Sequence, residues 1–146
     1  MKRVLIRIAI GIAILIPIAV LYAGVNIYNG IDDAYAQWGA VDMVVGYMRD
    51  HDGKWPPDWN SLKPYFDQNN GRVGGWSYER FQSHVFIDFT ADAKHLRRLS
   101  KESDTVAFDV IHATSLWGAQ FGSGPNEMLY RYLKENEGLP DARGAR

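Results

Sequence analysis

The sequence has no cysteine among its 146 residues. This absence excludes disulfide frameworks, thiolate zinc sites, lipid attachment through cysteine and cysteine nucleophiles. It also leaves the redox compartment unspecified, because cysteine usage is the feature that would report it. A chain of this length holds at most one folded domain.

The start of the chain has no acidic residues, and the chain as a whole has no strong net charge. No acid precedes Asp32, whereas Lys2, Arg3 and Arg7 lie among the first seven residues. The formal net charge of -1, from 16 basic and 17 acidic side chains, therefore divides into +3 for residues 1–7 and -4 for the rest. The sequence offers no global electrostatic attraction to nucleic acid.

An apolar run of twenty residues, 8–27, follows the basic start, with Asn26 as its only strongly polar side chain. Twenty helical residues span about 30 Å, which is the thickness of the hydrocarbon core of a bilayer. We therefore predict a transmembrane helix over 8–27, with the lipid bilayer as its partner. Residues 1–7 form a cytoplasmic leader under the positive-inside rule, and the later residues lie outside an inner membrane.

A cleaved signal peptide is the competing interpretation of this segment. Ala34-Tyr35-Ala36 has the small-x-small form that a signal peptidase accepts. The apolar run is longer than the usual core of a signal peptide, however, and the triplet lies well past its end. An uncleaved anchor is therefore the preferred interpretation.

The helical pattern continues beyond the predicted span. Apolar or small residues recur at alternating spacings of four and three, which indicates an amphipathic helix with one covered face. Gly53 is a plausible end for this helix, and Pro56-Pro57 prevents its continuation. The helix-packing stripe could serve a coiled coil, but packing against the chain's own sheet is preferred. The stripe consists of Ile31, Trp38, Val41, Val45 and Met48, with Ile27 before it and Ala34 between its first two members.

The remainder predicts a small α+β domain with an antiparallel sheet over residues 28–138. Strands are expected at 72–78, 83–89 and 105–113, where β-prone residues alternate or cluster. Asp58 is expected to begin a short helix, Thr90 to cap another over 91–100, and Pro125 to begin a last one that ends at Gly138. Residues 139–146 are predicted to form a disordered tail.

Catalytic and metal-binding signatures are largely absent from the sequence. Ser123 lacks the preceding glycine of a nucleophile elbow, and the glycines around it are not followed by the Gly-Lys-Ser/Thr of a phosphate loop. His84 and Asp88 are four residues apart on one predicted strand face and could form an acid/base or metal pair, but no third ligand accompanies them. We therefore expect a protein that is not an enzyme and has no cofactor or metal.

Basic side chains concentrate on the predicted helix 91–100 and just after it. Such a cluster is usually a solvated face, although on an otherwise acidic domain it is also a candidate docking patch for an acidic partner. The segment Trp55-Pro56-Pro57-Asp58-Trp59 also has two interpretations. It could be a polyproline ligand, or its tryptophans could fold over the core, and the second interpretation is preferred. The basic patch consists of Lys94, His95, Arg97, Arg98 and Lys101.

The order of these features resembles the type IV pilin and type II secretion pseudopilin family. Residues 47–56 read Tyr-Met-Arg-Asp-His-Asp-Gly-Lys-Trp-Pro, similar to the Tyr, Gly, aromatic-Pro pattern at the end of the long helix of the major pseudopilin. Residues 59–62 resemble the leucine-containing turn that follows it, and 115–118 resemble a late Ser-aromatic-Gly element. The resemblance covers residues 1–66 and implies a pilin-like α+β domain, with other membrane or secretion-system proteins as partners.

The processing motif of that family has no counterpart in this sequence. Family members carry a glycine between the basic leader and the apolar helix, and a glutamate a few residues later. Here Gly11 lies within the apolar run, Ile12 follows it, and no acid occurs before Asp32. The resemblance therefore does not extend to prepilin cleavage, glutamate-guided filament assembly or a calcium loop. It implies a membrane-anchored, non-enzymatic structural or interaction protein; a membrane-anchored binding module for an envelope ligand is the alternative.

Overall fold

A single long helix organises the molecule. The computed structural model describes residues 2–68, 75–115 and 123–135. Helix α1 runs from Lys2 to Asp50 without interruption and contains Pro17. Its 49 residues give it a length of about 74 Å at 1.5 Å per residue. The predicted continuity of the apolar run with the amphipathic extension is confirmed.

The two halves of α1 have different surroundings. Between Ala13 and Val25, every side chain that the structure describes is exposed. From Gly30 to Met48 the helix is largely buried by the folded domain. Within the described residues, α1 is the one helix long and apolar enough to cross a bilayer, judged by length and composition.

The end of α1 follows from its local sequence. Asp52 and Gly53 both have left-handed backbone conformations, with φ of 54° and 72°. Glycine adopts this conformation without a steric penalty, and it allows the amide of Gly53 to donate to the carbonyl of Met48 at 2.7 Å. The indole of Trp55 then donates to the carbonyl of Asp88 at 2.8 Å, so the chain folds back over the domain.

Two short helices follow α1 and lie against it. Helix α2 spans Trp59–Gln68, and the carboxylate of Asp58 caps it by accepting from the amide of Ser61 at 2.9 Å. Helix α3 spans Tyr78–His84 and begins at Ser77, whose hydroxyl accepts from the amide of Arg80. The helix expected after Asp58 is present.

The sheet is smaller than the sequence predicts. Strand β1 spans Val85–Ile87 and strand β2 spans Ile111–Ala113, and they pair antiparallel with Phe86 opposite His112. Of the strand expected at 83–89, residues 83–84 instead form the end of α3, the helix that Ser77 caps. Residues 105–110 are not in a strand, since β1 is too short to pair with them. Of the strand expected at 72–78, residues 75–78 are not in a strand and 72–74 lie outside the described residues.

The last two helices pack against each other, and the final one also packs on α1. Helix α4 spans Ala93–Glu102 and is capped by Asp92, not by the predicted Thr90, whose amide and hydroxyl instead donate to Asp88. Helix α5 spans Pro125–Glu135, as its Gly-Pro-Asn-Glu start predicts. Its predicted end at Gly138 and the tail 139–146 lie outside the described residues.

The hydrophobic core surrounds the second half of α1. Helices α2, α3 and α5 and both strands contact this half of the helix. Small residues let its neighbours approach closely, since a Cβ at Gly39 would lie 3.0 Å from the ring of Phe81. The fully buried side chains of the core include Met43, Val44, Met48, Leu62, Phe81, Ile111 and Leu129.

Candidate functional site

Four members of the predicted basic patch are exposed and the fifth is half-buried. Lys94, His95, Arg98 and Lys101 are exposed on α4, whose opposite face carries the buried Leu96. Arg98 contacts its own helix, with Nη2 2.9 Å from Nδ1 of His95 and Nε 3.9 Å from a carboxylate oxygen of Glu102.

Arg97, the fifth member of the patch, is half-buried and turned toward the end of α1. Its Nη2 lies 3.5 Å from the carbonyl oxygen of Gly53. This contact ties α4 to the turn that ends α1. The exposed part of the patch is therefore Lys94, His95, Arg98 and Lys101.

The predicted helix-packing stripe straddles the edge of the buried face of α1. Val41 and Met48 are buried and Trp38 and Val45 are half-buried, whereas Ile31 is 39% exposed. Four apolar side chains of α1 outside the stripe are buried as deeply as Val41 and Met48, at 1% exposure or less. They are Ala36, Ala40, Met43 and Val44.

A buried polar cluster lies where α1 enters the domain. Asp33 is only 1% exposed. Its Oδ1 lies 2.7 Å from Nδ1 of His84, and its Oδ2 accepts from the hydroxyl of Ser115. One turn later, Nε2 of Gln37 donates to the carbonyl of Asp33 at 3.2 Å. A buried carboxylate is tolerated only when it is hydrogen-bonded, and these partners join α1, α3 and the residues after β2.

A second, more exposed group lies beside this cluster. The guanidinium of Arg80 is 3.1 Å from the carboxylate of Asp32 and lies over the ring of Trp76 at 4.3 Å from its centroid. Trp76 also contacts the ring of His84, with centroids 4.9 Å apart. The start of α3 is therefore fixed to the same turn of α1 that carries Asp33.

His84 and Asp88, which the sequence offers as a possible acid/base or metal pair, have different hydrogen-bond partners. His84 ends α3 and pairs with Asp33, while Asp88 follows β1 and accepts from the amide and hydroxyl of Thr90. The hydrogen bonds from Thr90 lower the pKa of Asp88 below its ordinary value. The strand register that would put both residues on one face does not form, because β1 begins only at Val85.

The Asp33 cluster has the residue types of a serine hydrolase but not its order of contacts. In a Ser-His-Asp relay the serine hydroxyl contacts the imidazole, which removes its proton. Here the hydroxyl of Ser115 contacts the carboxylate of Asp33. No group of three metal-ligating side chains is placed to hold an ion in the described parts of the chain. The geometry is that of a structural hydrogen-bond network.

A second polar residue that sequence reasoning missed is Asn126 in the first turn of α5. Its Oδ1 accepts from the amides of Val110 and Ile111, and its Nδ2 donates to the carbonyl of Ile111 at 2.8 Å. The side chain thus pairs with the outer edge of β2 as a neighbouring strand would. No local pattern signals this role, because Asn126 reads as an ordinary helix-start residue.

Two tyrosines join the helices around α1 and have perturbed titration. Burial, together with a hydrogen bond to Asp50, raises the pKa of Tyr65 to about 12. Burial also raises the pKa of Tyr78 to about 12, and its hydroxyl donates to the carbonyl of Trp59. Both hydroxyls therefore keep their protons to a higher pH than an ordinary tyrosine with a pKa of 10.0.

Comparison of the chain with protein-family models, with curated proteins and with solved structures finds no match. Three features of the molecule bear on its function: the exposed apolar half of α1, the polar cluster where α1 enters the domain, and the exposed part of the basic patch.

Proposed function

We propose that this protein is a single-pass, membrane-anchored structural or interaction protein of pilin-like architecture and without enzymatic activity. The observation that carries the proposal is the continuity of α1, whose exposed apolar half leads directly into the central helix of the folded domain. A helix with exposed apolar side chains such as Leu15 and Leu21 is stable in lipid, where all its backbone groups are satisfied internally.

The charge distribution supports one orientation of this anchor. Lys2, Arg3 and Arg7 precede the apolar residues and Asp32 and Asp33 follow them. Basic residues are retained on the cytoplasmic side, so the N-terminus is cytoplasmic and the domain lies outside the inner membrane.

The absence of native cysteine provides a direct test of this topology. Single cysteines are introduced in place of Lys2 and of the exposed Asn60. Spheroplasts, in which the inner membrane is intact, are then treated with a membrane-impermeant maleimide. We expect labelling at position 60 at once and at position 2 only after the membrane is permeabilised. The unmodified chain is the blank. Release of the full-length protein from membranes by salt alone would refute the anchor.

The specific role that the pilin-like architecture suggests is membership of a secretion or pilus apparatus. It is supported by the helix end at Gly53 followed by Trp55 and Pro56, a pattern similar to that of pseudopilins. The test is co-purification from detergent-solubilised membranes after mild crosslinking. Recovery of secretion ATPase or platform components supports this role, whereas recovery of the chain alone contradicts it.

A second candidate function is a membrane-anchored binding module for an acidic envelope ligand. The favouring observation is the exposure of Lys94, His95, Arg98 and Lys101 together on α4. The triple variant Lys94→Glu, Arg98→Glu, Lys101→Glu should elute from a polyaspartate column at lower salt than the original protein. The matched control reverses three basic residues outside the patch, in the variant Lys54→Glu, Lys63→Glu, Arg131→Glu. An equal decrease in the eluting salt concentration of both variants would argue against a specific patch.

A further inference from the structure

The folded domain begins very close to the end of the apolar half of α1. The side chain of Val25 is exposed and that of Asp33 is buried in the domain. At a rise of 1.5 Å per residue, the eight-residue step from Val25 to Asp33 covers about 12 Å along the helix axis. The headgroup layer on each side of a bilayer is about 5–8 Å thick. Only about one helical turn of α1 therefore separates the domain from the headgroups of a membrane that holds this helix.

The uncovered surface of α1 at this level is amphipathic. Ile31 is 39% exposed and Tyr35 is 47% exposed, and they are four residues apart on the same face of the helix. Domain residues that pack on α1 leave both side chains partly exposed. A tyrosine has an apolar ring and a polar hydroxyl, a combination that is enriched at the boundary between lipid and water.

Helix α3 adds side chains of the same character at the same level. Arg80 contacts Asp32, one residue after Ile31, and its guanidinium lies over the ring of Trp76. About half of the Arg80 side chain is exposed, which leaves part of its fork of donors available to a phosphate. Because the Asp33–His84 contact fixes α3 to α1, these side chains cannot move away from this level independently.

We infer that Ile31, Tyr35, Trp76 and Arg80 form an interfacial patch at the outer surface of the phospholipid headgroup layer, so that the domain rests on the headgroups. The inference depends on the membrane anchorage proposed above. Lipid phosphates are the ligand of the Arg80 guanidinium, and the side chains of Ile31 and Tyr35, which lean toward the N-terminal end of α1, lie against the headgroups. The partner is the same bilayer that surrounds the first half of α1, since Ile31 lies on the same helix only six residues past the exposed Val25.

The test uses single nitroxide labels on the full-length, otherwise cysteine-free protein in phosphatidylcholine–phosphatidylglycerol vesicles. The labelled positions are Val20 within the anchor, Tyr35 and the exposed Glu79 beside the patch, and the exposed Asn60 on α2. Collision with oxygen, which concentrates in lipid, is compared with collision with a water-soluble nickel chelate. We expect position 20 to be lipid-like, position 60 aqueous, and positions 35 and 79 several-fold less accessible to nickel than position 60.

The outcomes separate the two proposals. If position 20 is lipid-like while positions 35 and 79 match position 60, the domain stands away from the bilayer and the interfacial patch is refuted, although the anchor stands. If position 20 is as accessible to nickel as position 60, the anchor itself is refuted.

A second variant tests the patch without a label inside it. Ile31→Glu with Tyr35→Glu should raise the nickel accessibility of the label at position 79, because two carboxylates on the patch oppose contact with the headgroups. The matched control is Phe86→Glu, since Phe86 is also 47% exposed but lies on the sheet. An equal change in both variants would overturn the inference.

Discussion

The buried carboxylate of Asp33 connects three segments that are far apart in sequence. His84 is 51 residues away along the chain and Ser115 is 82 residues away, yet both contact this one side chain. Their contacts compensate for removing the carboxylate from water, and loss of either partner leaves that buried carboxylate with less compensation. Replacement of Asp33 should therefore disturb the fold although it changes the side-chain volume little.

We predict that Asp33→Ala lowers the free energy of unfolding by about 2–3 kcal/mol, because it removes the hydrogen bonds to a carboxylate that join α1 to His84 and Ser115. The measurement is denaturant unfolding of the full-length protein in detergent, followed by tryptophan fluorescence. The control is Asp67→Ala, which removes the exposed 2.7 Å ion pair with Lys63 and should cost at most about 1 kcal/mol. Similar losses in the two variants would contradict a structural role for the cluster.

The two perturbed tyrosines predict a loss of stability at high pH. The fold raises the pKa of Tyr65 and of Tyr78 to about 12, above the ordinary value of 10.0. The unfolded chain therefore releases these protons first, so the stabilisation is complete below pH 10 and declines as pH rises toward 12. The denaturant concentration at the midpoint of unfolding should fall as pH rises from 8 to 11. The fall should be smaller in the double variant Tyr65→Phe, Tyr78→Phe. The same decline in this double variant would assign the effect to other groups.

At the scale of elements, the two-stranded sheet depends on a side chain from a helix. Asn126 accepts from the amides of Val110, just before β2, and of Ile111, its first residue, and donates to the carbonyl of Ile111. The start of the outer edge of β2 is thus paired without a third strand. An unpaired buried backbone group costs about as much as a lost hydrogen bond. The orientation of the amide matters, since its oxygen faces donors and its nitrogen faces acceptors.

We predict that Asn126→Ala lowers the free energy of unfolding by about 2–4 kcal/mol, since it leaves strand groups without partners. Asn126→Asp keeps the acceptor but places an oxygen against the carbonyl of Ile111, so it should also destabilise. Asn60→Ala on the exposed face of α2 is the control and should change stability by less than about 0.5 kcal/mol. Thermal unfolding followed by circular dichroism makes the comparison, and an Asp variant as stable as the original would refute this assignment.

The elements differ in how far the sequence determines them. The long α1 was predictable because its apolar run and its continuing helical period leave few alternatives, and the cap at Asp58 is a local signal. The strand at 105–113 was overpredicted, because alternation alone does not reveal that β1 ends after Ile87. The Asp33 cluster and the role of Asn126 were not predictable, since their partners come together only through tertiary packing.

At the scale of the whole molecule, α1 is both the proposed anchor and the centre of the domain core. Amides at the centre of a core exchange with solvent only when the whole domain unfolds. We predict that the slowest hydrogen exchange in the domain occurs in residues 36–48 of α1, measured by mass spectrometry in detergent. Residues 59–68 of α2, at the edge of the domain, serve as the comparison. Faster exchange in 36–48 than in α2 would contradict the central position of α1.

The unbroken backbone of α1 also has a mechanical consequence. A helix without a hinge between the anchor and the core transmits rotation as well as position, so the azimuth of the domain is locked to that of the anchor. Each inserted residue adds about 100° of rotation and 1.5 Å of height. One alanine inserted beside Gly24 would therefore rotate Tyr35 and Arg80 together by about 100° about the helix axis. Four inserted alanines would return both residues to nearly their original direction, about one helical turn farther from the membrane.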